Sequence, residues 1–320
     1  MLTLFRALSR WPLWLLHGIG AMLGWITYGA SPSYRRRFND NAHQAGISPA
    51  QARPAIAAAG RMVAELPFLW LRPAGEPIRP SLNWDGDALI ADALRSGRGL
   101  VLLTPHMGSF EVAAQAIAQR FAAEFGPITV LYRPARKAAL REVMDESRAR
   151  PGVATAPASL AGVRLMIRAL RRGEAVGLLP DQVPPDGMGV WVPFFGKPAY
   201  TMTLAARLVQ QTGAVPLLIW GERLARGAGY TVHVSALGEA LQTGDPSQGT
   251  AGPPQGSLTP RATKGPLVAP GGGDREAGVG GHHQAESAAI INRAMERLIR
   301  QCPGQYLWGY HRYKTPRSGD

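Results

Sequence analysis

An uninterrupted apolar segment near the start of the chain is its first strong pattern. Residues 11–30 contain no Asp, Glu, Lys or Arg, and a helix of this length spans about 30 Å, the thickness of bilayer hydrocarbon. Trp11, Trp14 and Trp25 stand near its ends, where a membrane interface favours aromatic rings. The pattern predicts a membrane anchor helix over residues 1–34. A cleaved signal peptide, a buried helix and a helix lying flat on the membrane are alternatives.

Beyond residue 80, short apolar runs alternate with segments that have the period of helices. The predicted strands are 100–104, 128–132, 175–179, 214–220 and 230–234. The predicted helices are 87–96, 109–125, 136–150, 159–172, 200–212 and 286–300. Alternation of this kind predicts an α/β fold, a sheet with helices on its faces.

Residues 243–284 interrupt this pattern. The segment is rich in Gly and Pro and has no hydrophobic period. Such a composition cannot bury enough apolar surface to order itself, so we expect a disordered insertion. The organisation predicted is an anchor over 1–34, one domain over 35–314 that carries the insertion, and a tail over 315–320.

Charge and cysteine content limit the kinds of partner and of site that the chain can have. The chain has 35 Lys and Arg against 22 Asp and Glu, a formal balance of +13, which favours an acidic partner. Four kinds of partner are acidic in this sense: nucleic acid, anionic lipid, a phosphorylated substrate and an acidic protein. Cys302 is the one cysteine, so a disulfide framework and a multi-thiolate metal site are excluded.

The sharpest chemical pattern is the sequence TPHMGSFE, residues 104–111. His106 follows a predicted buried strand, and Glu111 falls in the first turn of the next predicted helix. Ligands of open α/β sheets bind at the carboxyl ends of strands. An imidazole with a carboxylate on one ring nitrogen can take a proton from a hydroxyl at neutral pH. The pair therefore indicates direct acyl transfer to an alcohol, although a structural histidine and a helix-capping acid would also fit this short motif.

Three further segments follow strands and support a site at the same edge. Arg133, in YRP, can bind a phosphate or polarise a carbonyl, and Asp181, in LLPDQ, can orient a substrate or a basic partner. Residues 192–198 read VPFFGKP, a predicted aromatic loop that walls an acyl site or packs in the core. The sequence has no GxSxG, Walker or GxGxxG motif and no HExxH zinc motif, so no metal site is predicted.

Taken in order, these motifs and the terminal QYLWGYHRYK resemble the late acyltransferases of lipid A biosynthesis, the lauroyl and myristoyl transferases of the bacterial inner membrane. The resemblance runs from about Leu2 to Lys314 and omits the Gly- and Pro-rich insertion. It implies a glycerol-phosphate-acyltransferase-like fold, a mixed sheet flanked by helices.

The resemblance also implies which residues form the site. His106 matches the catalytic histidine, and Glu111 matches its carboxylate partner. Arg133 and Asp181 match positions that shape the substrate site. The insertion is not a feature of the family, and we expect it to be inert.

The partners follow from the same resemblance. The acyl donor is an acyl carrier protein bearing a phosphopantetheine thioester, and no cofactor is bound. The acceptor is a hydroxyacyl chain of a Kdo-linked lipid A precursor. The enzyme meets this acceptor among the membrane lipids, on the cytoplasmic side of the inner membrane. Nucleic acid is not expected as a partner. Another phospholipid or glycolipid acceptor is an alternative, as is a basic, membrane-tethered protein that binds lipid or nucleic acid without catalysis.

Overall fold

A computed structural model describes residues 2–73, 75–132, 150–241 and 279–316, and a β-sheet organises them. The strands are β1 (Leu82–Asp85), β2 (Leu100–Leu103), β3 (Ile128–Tyr132), β4 (Val153–Pro157), β5 (Ala175–Leu178), β6 (Gly189–Phe194), β7 (Lys197–Met202), β8 (Val215–Arg223) and β9 (Tyr230–Ala236). Within the described residues the sheet order is β1-β9-β8-β2-β5-β3-β4, and β6 pairs with β7 separately. All described neighbours in the large sheet are parallel except β8 and β9.

Six helices precede the sheet in the described part of the chain: α1 (Leu2–Leu8), α2 (Leu13–Ala30), α3 (Pro32–Gln44), α4 (Pro49–Ala52), α5 (Pro54–Ala64) and α6 (Leu66–Leu71). Serines and prolines define where several of them begin. The Ser31 hydroxyl accepts from the Tyr34 backbone N–H, and Ser48 forms a reciprocal capping box with Gln51, which satisfies N–H groups that have no helical partner. Proline in the first helical turn is tolerated because its missing N–H would have no partner there.

Later helices cover both faces of the sheet. They are α7 (Asp87–Arg95), α8 (Phe110–Phe125), α9 (Leu160–Arg171), α10 (Leu204–Thr212) and α11 (Val279–Gln301). One buried cluster packs α9, α10 and α11 against one face of β2 and β5, and another packs α7 and α8 against the opposite face. The predicted α/β class is confirmed.

Helix α2 corresponds to the predicted anchor, and its environment corrects that prediction. Its residues Gly20 and Gly24 pack against α5 so closely that a Cβ on Gly24 would lie 2.2 Å from the Ile56 carbonyl oxygen. No helix in the described ranges is long and apolar enough to cross a membrane. A membrane-spanning anchor over residues 11–30 is therefore not supported, and one stripe of this segment is buried by protein.

Residues 189–202 differ from the predicted aromatic loop and long helix. They form the β6–β7 hairpin, whose turn at Phe195 and Gly196 has φ values of 48° and 75°. Phe194 and Phe195 are buried in the core, which agrees with the core-packing interpretation of this segment. The helix that follows begins at Leu204 rather than at residue 200 because residues 197–202 pair as a strand.

Two other predicted segments fall partly or wholly outside the described residues. Of the predicted helix 136–150, only residue 150 is described. Of the predicted insertion 243–284, residues 243–278 lie outside the described part of the chain. Its last residues belong to α11, which begins at Val279 rather than at residue 286.

Candidate active site

The candidate site lies at the carboxyl ends of β2 and β5. These two strands are parallel neighbours with Leu103 opposite Leu178, so the residues that follow them emerge at the same edge. His106 follows β2 and Asp181 follows β5. Ligands of such sheets bind at this edge, and the adjacency brings together two side chains that are 75 residues apart in sequence.

His106 and Asp181 form two hydrogen bonds. The Nδ1 atom of His106 lies 2.7 Å from Oδ1 of Asp181, and the His106 backbone N–H donates to Oδ2 at 2.9 Å. Asp181 is 2% exposed. Burial acts to raise the pKa of Asp181, but the charge of His106, these hydrogen bonds and the charge of Arg312 together lower it. An ionised carboxylate only accepts, so Nδ1 carries the hydrogen and Nε2 of the neutral ring has a free lone pair.

Glu111 lies in the first turn of α8, where the helix dipole favours an acidic side chain. Its Oε2 accepts a hydrogen bond of 3.2 Å from the indole Nε1 of Trp70, at the end of α6. The carboxylate of Asp181 is joined to the His106 ring by a hydrogen bond. The role of Glu111 as partner of His106 stays a prediction, as does a contact of Asp181 with substrate. Arg133 lies outside the described residues.

The loop between His106 and Glu111 is fixed by a tight contact with β8. Gly108 has φ of 57°, and a Cβ there would lie 2.0 Å from the Gly221 carbonyl oxygen. Only glycine fits such a position, because it combines a left-handed backbone with the absence of a side chain. The Gly221 carbonyl accepts from the Ser109 N–H at 2.7 Å. The chain therefore leaves β2, passes against β8 and enters α8 along one defined path.

A buried ion cluster holds the same loop. Nη2 of Arg223 donates to the Gly108 carbonyl at 2.9 Å, and its guanidinium makes two bonds of 2.7 Å to Glu65. Glu65 also pairs with Nε2 of His17 at 2.9 Å and accepts from the Tyr230 hydroxyl at 3.1 Å. The cluster links helix α2, the end of α5 and the sheet to the loop of the candidate site.

An apolar cleft opens beside the histidine. It has a volume of about 40 Å³ and lies between α8 and strands β2, β3 and β5. The ring of Phe110, which lines it, meets the His106 ring edge-on with centroids 5.1 Å apart. Gly177 also lines it, and a Cβ there would lie 3.3 Å from the Val130 side chain. Its lining is almost entirely apolar.

The sequence named His106 and Asp181 separately but did not point to the buried cluster beside them. Arg223, Glu65 and His17 lie in three different parts of the fold, and no spacing in the sequence relates them. Glu65 and Arg223 did carry a signal, because each stands beside an apolar run of the sequence. A charged side chain that is buried among apolar residues is almost always paired with an opposite charge. Among the described residues, no group of three or more His, Cys, Asp or Glu side chains could hold a metal ion.

The mixed α/β sheet carries a carboxylate-paired histidine at a strand end, beside an apolar cleft. Such an arrangement is one that general-base enzymes use. The family model of the bacterial lipid A biosynthesis acyltransferases matches residues 49–252, more than half of the chain. The chain belongs to this family and is an acyltransferase.

Curated relatives agree with the family. The chain is 22% identical over 262 residues to the lipid A biosynthesis palmitoleoyltransferase of Escherichia coli strain K12, an alignment that covers 82% of this chain and 70% of the relative. The lipid A biosynthesis acyltransferase of Shigella flexneri matches with the same identity and coverage. Both alignments are longer than the stretch matched by the family model.

Proposed function

We propose that this acyltransferase moves a fatty acyl group from an acyl carrier protein thioester to a hydroxyacyl chain of a Kdo-linked lipid A precursor. The observation that carries the proposal is the 2.7 Å bond between Nδ1 of His106 and Asp181 at the edge of the sheet. That bond leaves Nε2 as the basic nitrogen. The relatives whose names include lipid A biosynthesis support the acceptor.

The proposed reaction is a direct transfer. Nε2 of His106 takes the proton of the acceptor hydroxyl as its oxygen attacks the thioester carbonyl. The tetrahedral intermediate then expels the thiol sulfur, which receives the proton from the imidazolium, so that an ester and a free thiol result. Asp181 stabilises the imidazolium between these steps, as the acid of a serine-protease triad does. Glu111 remains a proposed catalytic residue and Arg133 a proposed substrate-binding residue.

The proposed donor and acceptor are both acidic, and the chain carries a formal charge of +13. Acyl carrier protein and a phosphorylated glycolipid are attracted by such a charge. The apolar cleft of about 40 Å³ beside Phe110 is the proposed entrance for the acyl chain, and it widens when the chain binds. These features support the donor class and the acceptor class together.

We further propose that the protein works on the cytoplasmic surface of the inner membrane, with α2 lying along that surface. One stripe of this helix, including Leu16 and Gly20, is buried against protein. The other stripe presents large apolar side chains to solvent: Trp14 is 61% exposed, Met22 56% and Ile26 54%. A helix that has an exposed apolar stripe and neighbouring arginines is suited to an anionic membrane interface.

Purified protein tests the proposed reaction. We expect acyl transfer from acyl carrier protein thioesters to the glycolipid precursor, detected by mass spectrometry of the product. His106→Ala should reduce kcat about 10²–10⁴-fold, the usual contribution of a general base. Asp181→Asn should reduce kcat more than Glu111→Gln if Asp181 is the residue that orients the ring.

Three outcomes contradict parts of this proposal. Full activity of His106→Ala excludes the histidine as the base. A larger loss in Glu111→Gln than in Asp181→Asn assigns the partner role to Glu111. Transfer to glycerophospholipid but not to the glycolipid precursor replaces the acceptor and leaves the reaction class unchanged.

A further inference from the structure

A cavity separate from the candidate active site lies between the helices that precede the sheet. Its volume is about 550 Å³, whereas the apolar cleft beside His106 has a volume of about 40 Å³. Sites that bind small molecules in proteins usually measure roughly 300–1,000 Å³. We call this cavity the helix groove; it is lined by α2, α3, α4, α5 and the turns between them, from Trp25 to Ile56. The described linings of the groove and the cleft have no residue in common.

The floor of the helix groove is apolar. It is formed by side chains that are buried in the fold, namely Phe38, Ala42, Ile47, Ala52 and Ile56. One wall is fixed, because α2 and α5 meet so closely that a Cβ on Gly24 would lie 2.2 Å from the Ile56 carbonyl oxygen. Such a floor offers close packing to a hydrocarbon ligand but gives a polar ligand no hydrogen-bond partner.

The rim of the helix groove carries aromatic and basic groups. Trp25 is 41% exposed, and the guanidinium carbon of Arg53 lies 5.5 Å from the centroid of its ring. His43 stands at the same rim, where the hydroxyl of Tyr28 donates to Oδ1 of Asn39 at 2.9 Å. Among the described lining residues none is Asp or Glu. The rim therefore favours an anion, and a guanidinium is well suited to the oxygens of a phosphate group.

The helix groove is continuous with the exposed apolar stripe of α2. Trp25 follows Met22 by three positions, and residues three or four apart on a helix are neighbours on its surface. Both side chains are exposed, as is that of Ile26. Tryptophan and tyrosine side chains are favoured where hydrocarbon meets water at a membrane. The opening of the groove thus lies beside the surface that is proposed to meet the bilayer.

We propose that the helix groove binds one anionic phospholipid of the membrane, with an acyl chain against the apolar floor and the headgroup phosphate on Arg53. A ligand that joins hydrocarbon to a phosphate matches both the floor and the rim. The lipid is bound and not consumed, so this inference goes beyond the proposed acyl transfer and does not involve His106. Together with the stripe of α2 it provides two separate contacts with a bilayer, and stable anchoring usually requires two.

Native mass spectrometry of the full chain in detergent tests the site directly. The probe is phosphatidylglycerol, and phosphatidylcholine with the same acyl chains is the zwitterionic comparison. We expect a one-to-one complex with phosphatidylglycerol, bound about fivefold more tightly than phosphatidylcholine, which is the usual effect of one basic side chain beside an anionic headgroup.

Matched variants separate the groove from the general basic charge of the chain. The Arg53 side chain is exposed and makes no cap hydrogen bond to α5, so Arg53→Gln should fold normally and bind phosphatidylglycerol about tenfold more weakly. Arg53→Lys, which keeps the charge, should retain most of the affinity. Arg168→Gln removes an exposed arginine of α9, which does not line the groove, and should bind as wild type does.

A second experiment locates the acyl chain. Phosphatidylglycerol with dibrominated chains, supplied in detergent at one lipid per protein, should quench the fluorescence of Trp25 by contact. Part of the quenching should therefore disappear in Trp25→Phe but not in Trp191→Phe, which removes a tryptophan that is 51% exposed on the β6–β7 hairpin. Ala42→Phe, which fills the floor, should also abolish this part, and thermal unfolding shows whether that variant is folded.

Several results would overturn the proposal. They are the absence of a complex with phosphatidylglycerol, equal affinity for the two lipids, an equal loss in Arg53→Gln and Arg168→Gln, and quenching that does not depend on Trp25. A dimer that forms without lipid and is lost in Ala42→Phe would assign the groove to a second copy of the chain instead. His106→Ala should bind the lipid as wild type does. A protein that binds phosphatidylglycerol but transfers no acyl group would contradict the proposed function and leave the lipid site standing.

Discussion

At the scale of single residues, this protein depends on a buried pair of opposite charges. Glu65 and Arg223 have side chains that are 1% and 3% exposed, and they meet through two bonds of 2.7 Å. Burial acts to raise the pKa of Glu65, but the charge and hydrogen bonds of Arg223, followed by those of His17, lower it to about 2. Breaking such a pair leaves an uncompensated buried charge, which typically costs about 3–5 kcal/mol.

The lowered pKa of Glu65 predicts how stability depends on pH. A carboxyl group whose folded pKa is about 2, against 4.5 ordinarily, stabilises the fold above pH 4.5 and loses this contribution as the pH falls towards 2. The shift corresponds to about 3 kcal/mol. We expect the stability difference between wild type and Glu65→Gln, measured by urea unfolding, to shrink between pH 7 and pH 3.

The control for this prediction is Glu124→Gln, on the exposed side of α8. Surface substitutions of this kind usually change stability by less than about 0.5 kcal/mol, so this variant should follow wild type closely at both pH values. A difference between wild type and Glu65→Gln that stays constant from pH 7 to pH 3 would contradict the lowered pKa of Glu65.

At the scale of elements, glycines set how closely α2 approaches α5. A Cβ on Gly60 would lie 1.9 Å from the Gly20 carbonyl oxygen, and a Cβ on Gly20 would lie 2.7 Å from the Arg61 backbone. The two helix backbones are therefore in direct contact. This close approach brings His17, on α2, within reach of Glu65 at the end of α5.

Two glycines of α2 give opposite predictions. Gly24→Ala should destabilise the protein, because its Cβ would overlap the Ile56 carbonyl and force the helices apart. A Cβ on Gly18 meets nothing within 4 Å, so Gly18→Ala should stabilise by about 0.5–1 kcal/mol through helix propensity alone. Thermal unfolding of both variants checks the pair, and an equal effect of the two substitutions would contradict the observed packing.

The sequence predicted regular elements well where the apolar period was strong and poorly where tertiary contacts decide. Strand β2 and helix α8 were predicted within one residue at each end, since one is fully apolar and the other is periodic. Strand β4, VATAP, carries no such signal and becomes a strand only by pairing with β3. The site followed the same rule. His106 and Asp181 were each named from their place after a strand, but the 2.7 Å contact between them depends on β2 and β5 being neighbours, and strand order cannot be read from a sequence. The partner role of Glu111 stays a prediction.

At the scale of the whole molecule, the exposed apolar stripe of α2 and the basic charge of the chain act together. Side chains such as Met22 and Ile26, which are about half exposed, would each gain about 1 kcal/mol if a lipid phase buried the rest of their surface. Arginines near the ends of α1 and α2, namely Arg6, Arg10 and Arg36, add attraction to anionic headgroups that weakens as salt is added. In the proposed function, the two forces together orient the enzyme on a surface where its lipid acceptor resides.

Binding to lipid vesicles tests this orientation. We expect the double substitution Trp14→Gln and Ile26→Gln to weaken binding to vesicles that contain anionic lipid by about tenfold or more, while acyl transfer to detergent-dispersed acceptor is preserved. The control is Trp191→Gln, on the β6–β7 hairpin, where the residue is 51% exposed. Equal binding of the double variant and wild type, or an equal loss in the control, would contradict a role specific to α2.

The residues that follow α11 also bear on how the enzyme is made, because the Leu307 N–H donates to the His106 carbonyl at 3.1 Å and the Gln305 carbonyl accepts from the Gly108 N–H at 2.9 Å. Translation produces the sheet strands, His106 and Asp181 long before it produces residues 305–307. The loop that bears His106 therefore lacks two of its hydrogen bonds until this last part of the chain has been made. Premature termination just upstream is expected to lower acyl transfer even where the sheet has formed, which makes full activity a late property of the nascent chain.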